Sequence, residues 1–339
     1  MSNLLRKIGA GIAALGLAFT SLSAAPVHAQ NEFEGKTVKI GVVGSTMKDI
    51  MTYVAEKAAK EGITLEVTEL NDYNTPNTAL LDGDIDMNAF QHQVFLDDWN
   101  KAHNAELQNI GYTFAVPLRL YSSKYKSLDE LPEKAKIAIS SDPVGSAYAI
   151  KVLATDAKLF TLKDQDMESP TKDDIADNPK GIELVELDAA QIPTSMPDVD
   201  AGIIQDSFLK ATKFKPTDAI YIYGDKADTL NLKRTNIFAV RKEDKDNKLY
   251  QRIVQLFQEE DVAKKITEIS EGGLIPAWDL VKEYLEKHPD AELPGMQAAS
   301  SSASSSEESS APEAAPADAA SEGAPAANPM PQTEQTMPQ

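Results

Sequence analysis

Residues 37–58 read TVKIGVVGSTMKDIMTYVAEKA and contain the pattern that decides the fold class. The run Thr37–Val43 is rich in β-branched residues and predicts a strand. After Gly44, apolar residues recur at helical spacing, which predicts a helix with Thr46 as its N-cap and Asp49 as the capping-box partner. A strand followed at once by a helix is the unit of α/β proteins with parallel strands.

The same alternation of short strands and helices continues along the chain. Further predicted strands are Thr64–Leu70, Ile85–Ala89, Asn109–Ser122, Lys136–Ile139, Ile182–Leu187, Ala201–Ile204, Tyr221–Tyr223 and Thr235–Val240. Further predicted helices are Thr78–Leu81, Gln93–His103, Ser146–Ala157, Lys248–Glu259, Val262–Ser270 and Leu280–His288. This alternation predicts an α/β fold with mostly parallel sheets.

Two extended stretches, 117–122 and 223–235, interrupt the alternation. Pro117 stands in the first of them, and a proline lacks the backbone donor that an interior strand needs, so this stretch is expected to cross between sheets. We therefore predict two α/β lobes joined by a hinge at the crossings. A ligand is expected in the cleft between the lobes, at strand ends and helix N-termini.

The predicted boundaries follow from these crossings and from the composition of the chain ends. They are a signal peptide at 1–29, lobe 1 at 30–118, lobe 2 at 119–223, a return to lobe 1 at 224–297, and a tail at 298–339. The tail is rich in Ala, Ser and Pro and carries six acidic residues but no Lys or Arg. Such a composition predicts a disordered acidic appendage.

The N-terminus has the three parts of a secretory signal. Arg6 and Lys7 precede the apolar run Ile8–Phe19, and the small residues up to Ala29 predict cleavage after that position. Ala25 stands where a bacterial lipoprotein would carry its lipidated cysteine. We therefore expect a soluble periplasmic protein without a lipid anchor.

Composition and charge exclude several classes of function. The chain has 339 residues, with 33 Lys+Arg against 53 Asp+Glu, a net charge of −20 and no cysteine. A strongly acidic chain lacks the basic surface that nucleic acids and anionic membranes require. Without cysteine there are no disulfides, thiolate metal sites or Cys nucleophile. No run of about 20 apolar residues occurs, so no membrane-spanning helix is expected.

No catalytic constellation is recognisable in the sequence. The mature chain holds three histidines, His92, His103 and His288, without the spacing of a catalytic zinc site. Neither a G-x-S-x-G motif nor a phosphate-binding P-loop occurs. We therefore expect a protein that is not an enzyme and needs no metal or other cofactor.

The stretch 71–99, NDYNTPNTALLDGDIDMNAFQHQVFLDDW, concentrates aromatic residues around one histidine. Tyr73, Phe90, His92 and Phe95 fall at predicted loops and strand ends. Taken together they have the composition of an apolar ligand pocket with a few polar anchors. Taken singly, Phe90 or Phe95 is equally well explained by core packing.

This stretch resembles the methionine-binding (MetQ/NlpA-type) substrate-binding proteins of bacterial ABC importers. The matching run is N-D-Y-x-x-P-N-x-A-L-x-x-G-D-I-D-x-N-A-F-Q-H-x-x-x-L-D, and ordered matches cover about residues 37–275. The resemblance implies a type II periplasmic binding protein fold. It also implies capture of methionine or a related small amino acid, with delivery to an ABC permease that has a cytoplasmic ATPase.

The resemblance also implies the residues of the ligand site. Tyr73, Phe90, His92 and Phe95 match the family's wall around the ligand side chain. Asn236 and Gln205 match two cleft asparagines, the second being a longer amide here.

One departure from the family pattern affects the ligand carboxylate. Tyr148 stands where the family usually has an arginine that binds this carboxylate, and a tyrosine offers one neutral hydrogen bond in place of a charged fork. Arg119, just after Pro117, is a candidate replacement whose guanidinium would enter the cleft. Alternatively, Arg119 forms a surface or hinge ion pair.

Two other functions stay open at this point. The chain could bind a ligand that lacks an α-carboxylate, as Tyr148 suggests, and competition with methionine would separate this case from the first. It could also be a secreted enzyme or a surface interaction protein built on the same fold. A catalytic turnover, or a partner lost on deleting 298–339, would support that alternative.

Overall fold

The computed structural model describes residues 32–226 and 229–288. The predicted signal peptide at 1–29 and the predicted tail at 298–339 lie outside the described residues. Among the helices within the described ranges, none combines the length and apolar character that crossing a membrane demands.

The described chain alternates strands and helices. The strands are β1 (Thr37–Val43), β2 (Thr64–Leu70), β3 (Met87–Ala89), β4 (Gln108–Ala115), β5 (Leu118–Tyr121), β6 (Lys136–Ser140), β7 (Thr161–Leu162), β8 (Ile175–Asp177), β9 (Glu183–Leu187), β10 (Ala201–Ile203), β11 (Tyr221–Tyr223), β12 (Thr235–Val240) and β13 (Ile275–Pro276). The helices are α1 (Ser45–Ala59), α2 (Thr75–Leu81), α3 (Gln93–His103), α4 (Pro143–Thr155), α5 (Ile192–Ser195), α6 (Asp206–Leu209), α7 (Lys248–Phe257), α8 (Glu260–Ile269) and α9 (Trp278–Lys287). The predicted α/β fold class is confirmed.

The strands form two main sheets. The first sheet has the order β13-β4-β12-β3-β1-β2, and the second has the order β11-β5-β10-β6-β9. We call the first sheet with its helices the first lobe, and the second sheet with its helices the second lobe. Strands β7 and β8 form a separate antiparallel pair.

The prediction of mostly parallel sheets is wrong, because each main sheet is mixed. Strands β1, β2 and β3 pair in parallel, as do β6, β9 and β10, and helices connect strands within these groups. The remaining pairings, which involve β4, β5, β11, β12 and β13, are antiparallel. Of these strands, β4, β5, β11 and β12 adjoin the crossings between sheets, and a chain that returns from the other sheet is free of the βαβ connection that enforces parallel order.

The chain passes between the two sheets at the predicted crossings. Val116 and Pro117 separate β4 of the first sheet from β5 of the second. The return runs from β11 in the second sheet to β12 in the first, through a 3₁₀ turn at Leu232–Arg234.

Each lobe has its own hydrophobic core. Helix α1 buries Met47, Ile50, Met51 and Val54 on one face, in the first core. This spacing is the helical period that the sequence predicted. In the second lobe, the apolar residues of α4 pack with those of β6. A third cluster, which includes Val43 and Phe90 of the first lobe and Phe208 of the second, joins the two lobes at the cleft.

Helix α1 begins two residues earlier than predicted, and Thr46 is not its N-cap. The N-cap is Gly44, with φ 80° and ψ 154°, and no side chain caps the helix. Backbone angles of this kind are accessible essentially to glycine alone. The buried Thr46 side chain instead hydrogen-bonds to Asp206 of the second lobe.

Candidate functional site

A cavity lies between the two lobes, where strand ends and helix N-termini meet. Including its part open to solvent, it contains about 930 Å³ of space not filled by atoms. Its lining residues are Val43, Thr46, Met47, Tyr73, Ala89, Phe90, Gln91, His92, Phe95, Phe114, Val116, Leu118, Asp142, Gly145, Tyr148, Gln205, Asp206, Ser207, Arg234, Asn236 and Leu274. A cleft between two α/β units, at strand ends and helix N-termini, is a common location for a small-molecule site.

Seven of the eight residues predicted for the site line this one cavity. They are Tyr73, Phe90, His92, Phe95, Tyr148, Gln205 and Asn236. Their roles toward a ligand remain predictions, because the cavity shows only that they share one space.

Three aromatic rings form a wall on the first-lobe side. The ring centroids of Tyr73 and Phe90 are 5.9 Å apart, and those of Phe90 and Phe95 are 5.8 Å apart in an edge-to-face arrangement. The Tyr73 ring also lies 5.2 Å from Phe208 of the second lobe. Centroid separations of this size are favourable for aromatic pairs. The wall therefore offers a preformed apolar surface.

The loop that carries Tyr73 is fixed by the neighbouring Asp72. Its carboxylate accepts hydrogen bonds from the backbone nitrogens of Asn74 and Thr75, at 2.7 and 2.8 Å, and from the Thr75 hydroxyl. Burial of Asp72 opposes ionisation, but these bonds outweigh it and lower the pKa of the carboxyl. The ionised Asp72 thus holds the turn before α2.

A buried amide network supports the segment that carries Phe90 and His92. Gln91 and Asn77 exchange two side-chain hydrogen bonds, at 2.6 and 2.8 Å. Asn88 donates to Asn77 and accepts from Gln91, at 2.9 and 3.0 Å. All three residues are at most 3% exposed, and apart from a bond from Asn88 Nδ2 to the Pro76 carbonyl at 3.2 Å, the amides satisfy one another.

Replacement of Gln91 by alanine is expected to destabilise the protein by roughly 2–4 kcal/mol, because two buried amides lose partners at once. Urea unfolding followed by circular dichroism measures this loss. Gln108→Ala is the control, since the Gln108 side chain is half-exposed and, within the described ranges, hydrogen-bonds only to the Glu106 carbonyl. Equal stability of the two variants would contradict a structural role for the network.

His92 is the N-cap of α3. Its Nδ1 accepts from the Phe95 backbone nitrogen at 3.2 Å, and its Nε2 lies 3.1 Å from Nη1 of Arg234. Burial, together with the Arg234 charge, lowers the pKa of the imidazole to about 3. His92 is therefore neutral at physiological pH.

Tyr148 projects from α4 on the second-lobe side. The Asp142 carboxylate caps this helix by accepting from the Gly145 nitrogen at 2.6 Å, and Pro143 occupies its first turn. Burial raises the pKa of the Tyr148 hydroxyl to about 12, so the ring remains neutral. Its face lies 3.8 Å from Cζ of Arg234.

Amide and acidic side chains occupy the remaining polar positions. Asn236 Nδ2 donates to the Phe90 carbonyl at 3.1 Å, which links β12 to the aromatic wall. Gln205 is the N-cap residue of α6, although its side chain makes no capping bond. Asp206 follows it and is 8% exposed.

The expectation that Arg119 enters the cleft is wrong. The cavity lining within the described chain does not include Arg119, whose Nη1 donates to the Gly273 carbonyl at 2.8 Å. Leu118 and Leu120 face the second core, so strand alternation turns Arg119 to the opposite side, toward the first lobe. Arg119 therefore makes a buried contact between the lobes.

The sequence analysis missed Arg234, which does line the cavity. Arg234 is the last residue of the 3₁₀ turn Leu232–Arg234, so strand alternation does not determine where its side chain points. Its nearness in sequence to Asn236, a predicted site residue, is the signal that could have located it.

Asp206 makes the stability of the protein dependent on pH. Burial raises the pKa of its carboxyl to about 6, against the opposing effects of Arg119, Thr46 and Lys210. Because the folded pKa lies above the unfolded one, the neutral acid stabilises the fold below about pH 4, and this contribution is lost as pH rises through 6. Between pH 4 and 7 the free energy of unfolding of the wild type should fall by roughly 2–3 kcal/mol relative to that of Asp206→Asn.

Urea unfolding of both proteins at a series of pH values measures this difference. A stability difference that is constant from pH 4 to 7 would contradict the raised pKa of Asp206.

Comparison with known proteins places the chain in a sequence family. The profile of the family described as NlpA lipoprotein matches residues 38–278. A D-methionine-binding lipoprotein MetQ from Salmonella typhi is 34% identical, over 78% of this chain and 97% of its own length. Lipoprotein 28 from Escherichia coli strain K12 is also 34% identical, over 74% of this chain and 91% of its own length.

Solved structures agree with the sequence comparison. A nutrient binding protein from Burkholderia cenocepacia, solved bound to methionine, is 35% identical, with a TM-score of 0.66. The alignment covers 71% of this chain and 99% of that protein. The substrate binding protein of a methionine transporter from Streptococcus pneumoniae is 31% identical, with a TM-score of 0.67, and covers 71% of this chain and 96% of its own.

Proposed function

This chain belongs to the NlpA lipoprotein family, and from that premise we propose that it is the substrate-binding protein of an ABC importer. It captures methionine or a closely related small amino acid and presents it to a permease. The resemblance inferred from residues 71–99 is thereby confirmed at the level of the family.

The observation that carries this proposal is the composition of the interlobe cavity. One side is an apolar wall of Tyr73, Phe90 and Phe95, which suits an unbranched thioether side chain. The polar groups collect around Asn236, Gln205 and the α4 side. An apolar wall facing a small set of polar groups is the arrangement expected for a small amphipathic ligand.

Contacts between the lobes support a capture mechanism by closure. The Arg119 contact with Gly273 is buried, and the Tyr73 hydroxyl hydrogen-bonds to Ser207 across the cavity. At the rim, Lys210 pairs with Asp49 at 2.7 Å. The lobes are thus held together around the cavity, and a hinge motion at the two crossings would open it.

The proposal is a transport role in which no covalent chemistry occurs. Binding energy and closure suffice, because the permease needs only to recognise the closed, loaded form. We place the protein in the periplasm, since relatives with 91% or more of their length aligned are named lipoproteins and the N-terminus predicts secretion.

Isothermal titration calorimetry of the purified full chain tests this function. We expect one site per chain that binds methionine most tightly, binds leucine more weakly, and does not bind lysine or glutamate. Methionine should also displace any weaker ligand found by screening. Failure of every amino acid to bind would overturn the proposal, and tight binding of a ligand that methionine cannot displace would favour the alternative of a ligand without a carboxylate.

A further inference from the structure

Arg234 supplies the only Lys or Arg side chain among the described residues that line the cavity. Its Nη2 donates to the Val144 carbonyl across 3.4 Å, a weak contact. Within the described part of the chain, no carboxylate oxygen lies within 4.0 Å of its guanidinium. Burial lowers the pKa of Arg234, and the Asp142 carboxylate, which also lines the cavity but lies beyond ion-pair distance, partly offsets this effect. A largely buried cation without a carboxylate in direct contact favours the entry of an anionic group.

Stacking on Tyr148 determines which part of Arg234 remains available. The guanidinium carbon lies 3.8 Å from the centroid of the Tyr148 ring, a cation–π contact. Such stacking uses one face of the guanidinium. The N–H groups lie in its plane and stay free to form the paired hydrogen bonds that a carboxylate accepts.

His92 adds a second donor beside Arg234. In the tautomer whose Nδ1 accepts from the Phe95 nitrogen, the ring proton is on Nε2. Nε2 and Nη1 of Arg234 are 3.1 Å apart, and in this tautomer both are donors, so both remain available to an acceptor. An anionic oxygen near both atoms would satisfy the two donors at once.

We propose that Arg234, with His92 beside it, binds the carboxylate of the amino acid ligand, and that Tyr148 positions the guanidinium for this contact. The inference rests on the proposed function and assigns its carboxylate subsite. Tyr148 occupies the position where the resemblance implied an arginine. In this chain the cation is Arg234 instead, which lies in the segment that enters β12. It stacks on the ring of Tyr148, the residue that stands at the arginine position.

The consequence for specificity is that the ligand must carry an acidic group. An amine without a carboxylate would leave the guanidinium unpaired and add a second positive charge next to it. A small zwitterion with its carboxylate at Arg234 and its side chain at the aromatic wall satisfies both ends of the cavity.

Two ligands and three variants of the full chain test this assignment. The ligands are methionine and methioninol, which keeps the amine and the thioether but has a hydroxymethyl group in place of the carboxylate. The variants are Arg234→Ala, Arg234→Lys and the control Lys233→Ala, which removes a charge from the exposed neighbouring residue. Calorimetry gives each affinity, and circular dichroism checks that each variant is folded.

We expect the wild type to bind methionine at least a hundredfold more tightly than methioninol. In Arg234→Ala this ratio should fall to about tenfold or less, because the affinity for methionine drops while the affinity for methioninol stays the same. Arg234→Lys should recover part of the ratio, since a lysine keeps the charge but not the fork. Lys233→Ala should match the wild type.

Other results would overturn the assignment. If Arg234→Ala weakens both ligands by the same factor, or leaves methionine binding unchanged, Arg234 does not bind the carboxylate. These outcomes differ from failure of the proposed function, in which the wild type binds neither methionine nor any other amino acid.

Discussion

Gly44→Ala is expected to weaken ligand binding at least a hundredfold. A Cβ at this position would overlap the Ser207 carbonyl oxygen and would lie 2.7 and 2.8 Å from the Ser207 carbonyl carbon and Cα. Gly44 belongs to the first lobe and Ser207 to the second, so this overlap acts only when the lobes are together. An overlap that costs about 3 kcal/mol in the closed form lowers the affinity by two orders of magnitude.

Gly83→Ala is the matched control for Gly44→Ala. Both glycines have φ near 80°, so both alanines strain the backbone, but no atom lies within 4 Å of a Cβ at Gly83. Gly83→Ala should therefore reduce stability without reducing affinity. Calorimetry, with small-angle X-ray scattering before and after ligand addition, measures both binding and closure. Wild-type affinity and full closure in Gly44→Ala would contradict the proposed mechanism.

Phe90→Ala is expected to weaken methionine binding by about two orders of magnitude. Phe90 is the central ring of the aromatic wall and is 7% exposed. Removing a buried phenylalanine ring costs roughly 3–5 kcal/mol, and part of that loss falls on the ligand that packs against it. The affinity for alanine, whose side chain is too short to fill the wall, should change much less.

Calorimetry of Phe90→Ala with methionine and with alanine distinguishes the loss of side-chain contacts with the wall from a general loss of folding. The first weakens methionine binding selectively, and the second weakens the binding of both amino acids. Phe33→Ala serves as the control, because Phe33 packs against the first core and does not line the cavity. If Phe90→Ala retains the wild-type preference for methionine over alanine, the aromatic wall does not hold the ligand side chain.

The sequence predicted the fold class well, because strand and helix periods are local properties. Helix α1 is an example, since its apolar positions repeat at the helical spacing from Met47 to Val54 and all of them are buried. Sheet direction could not be obtained in the same way. Whether β4 or β12 pairs in parallel depends on where a crossing returns the chain, and this is a long-range property.

For the site, the sequence located the aromatic wall but misplaced the cation. Residues 71–99 held three rings and His92 within one short segment, so their proximity was nearly dictated by the chain. Arg119 and Arg234 are both near crossings, and only one of them reaches the cavity. Alternation with Leu118 and Leu120 excludes Arg119, but this argument depends on knowing that the two leucines face the core. Arg234 ends a 3₁₀ turn, to which strand alternation does not apply, so its direction could not be read from the sequence.

The buried amide network could not have been predicted from the sequence. Asn77, Asn88 and Gln91 come from a helix, a strand and a loop, and polar residues are more often exposed than buried. Their burial becomes intelligible only when the three side chains are seen to satisfy one another. Gln91 was part of the quoted motif, but its function is to support the neighbouring site residues.

Native mass spectrometry of the full chain, purified from its cells without refolding, tests the central claim most directly. A ligand enclosed between closed lobes stabilises the folded protein by mass action and is retained during purification. We expect one small molecule per chain, identified after release as methionine or a close amino acid relative. A released molecule without a carboxylate, or an empty cavity that takes up no added methionine, would contradict the account.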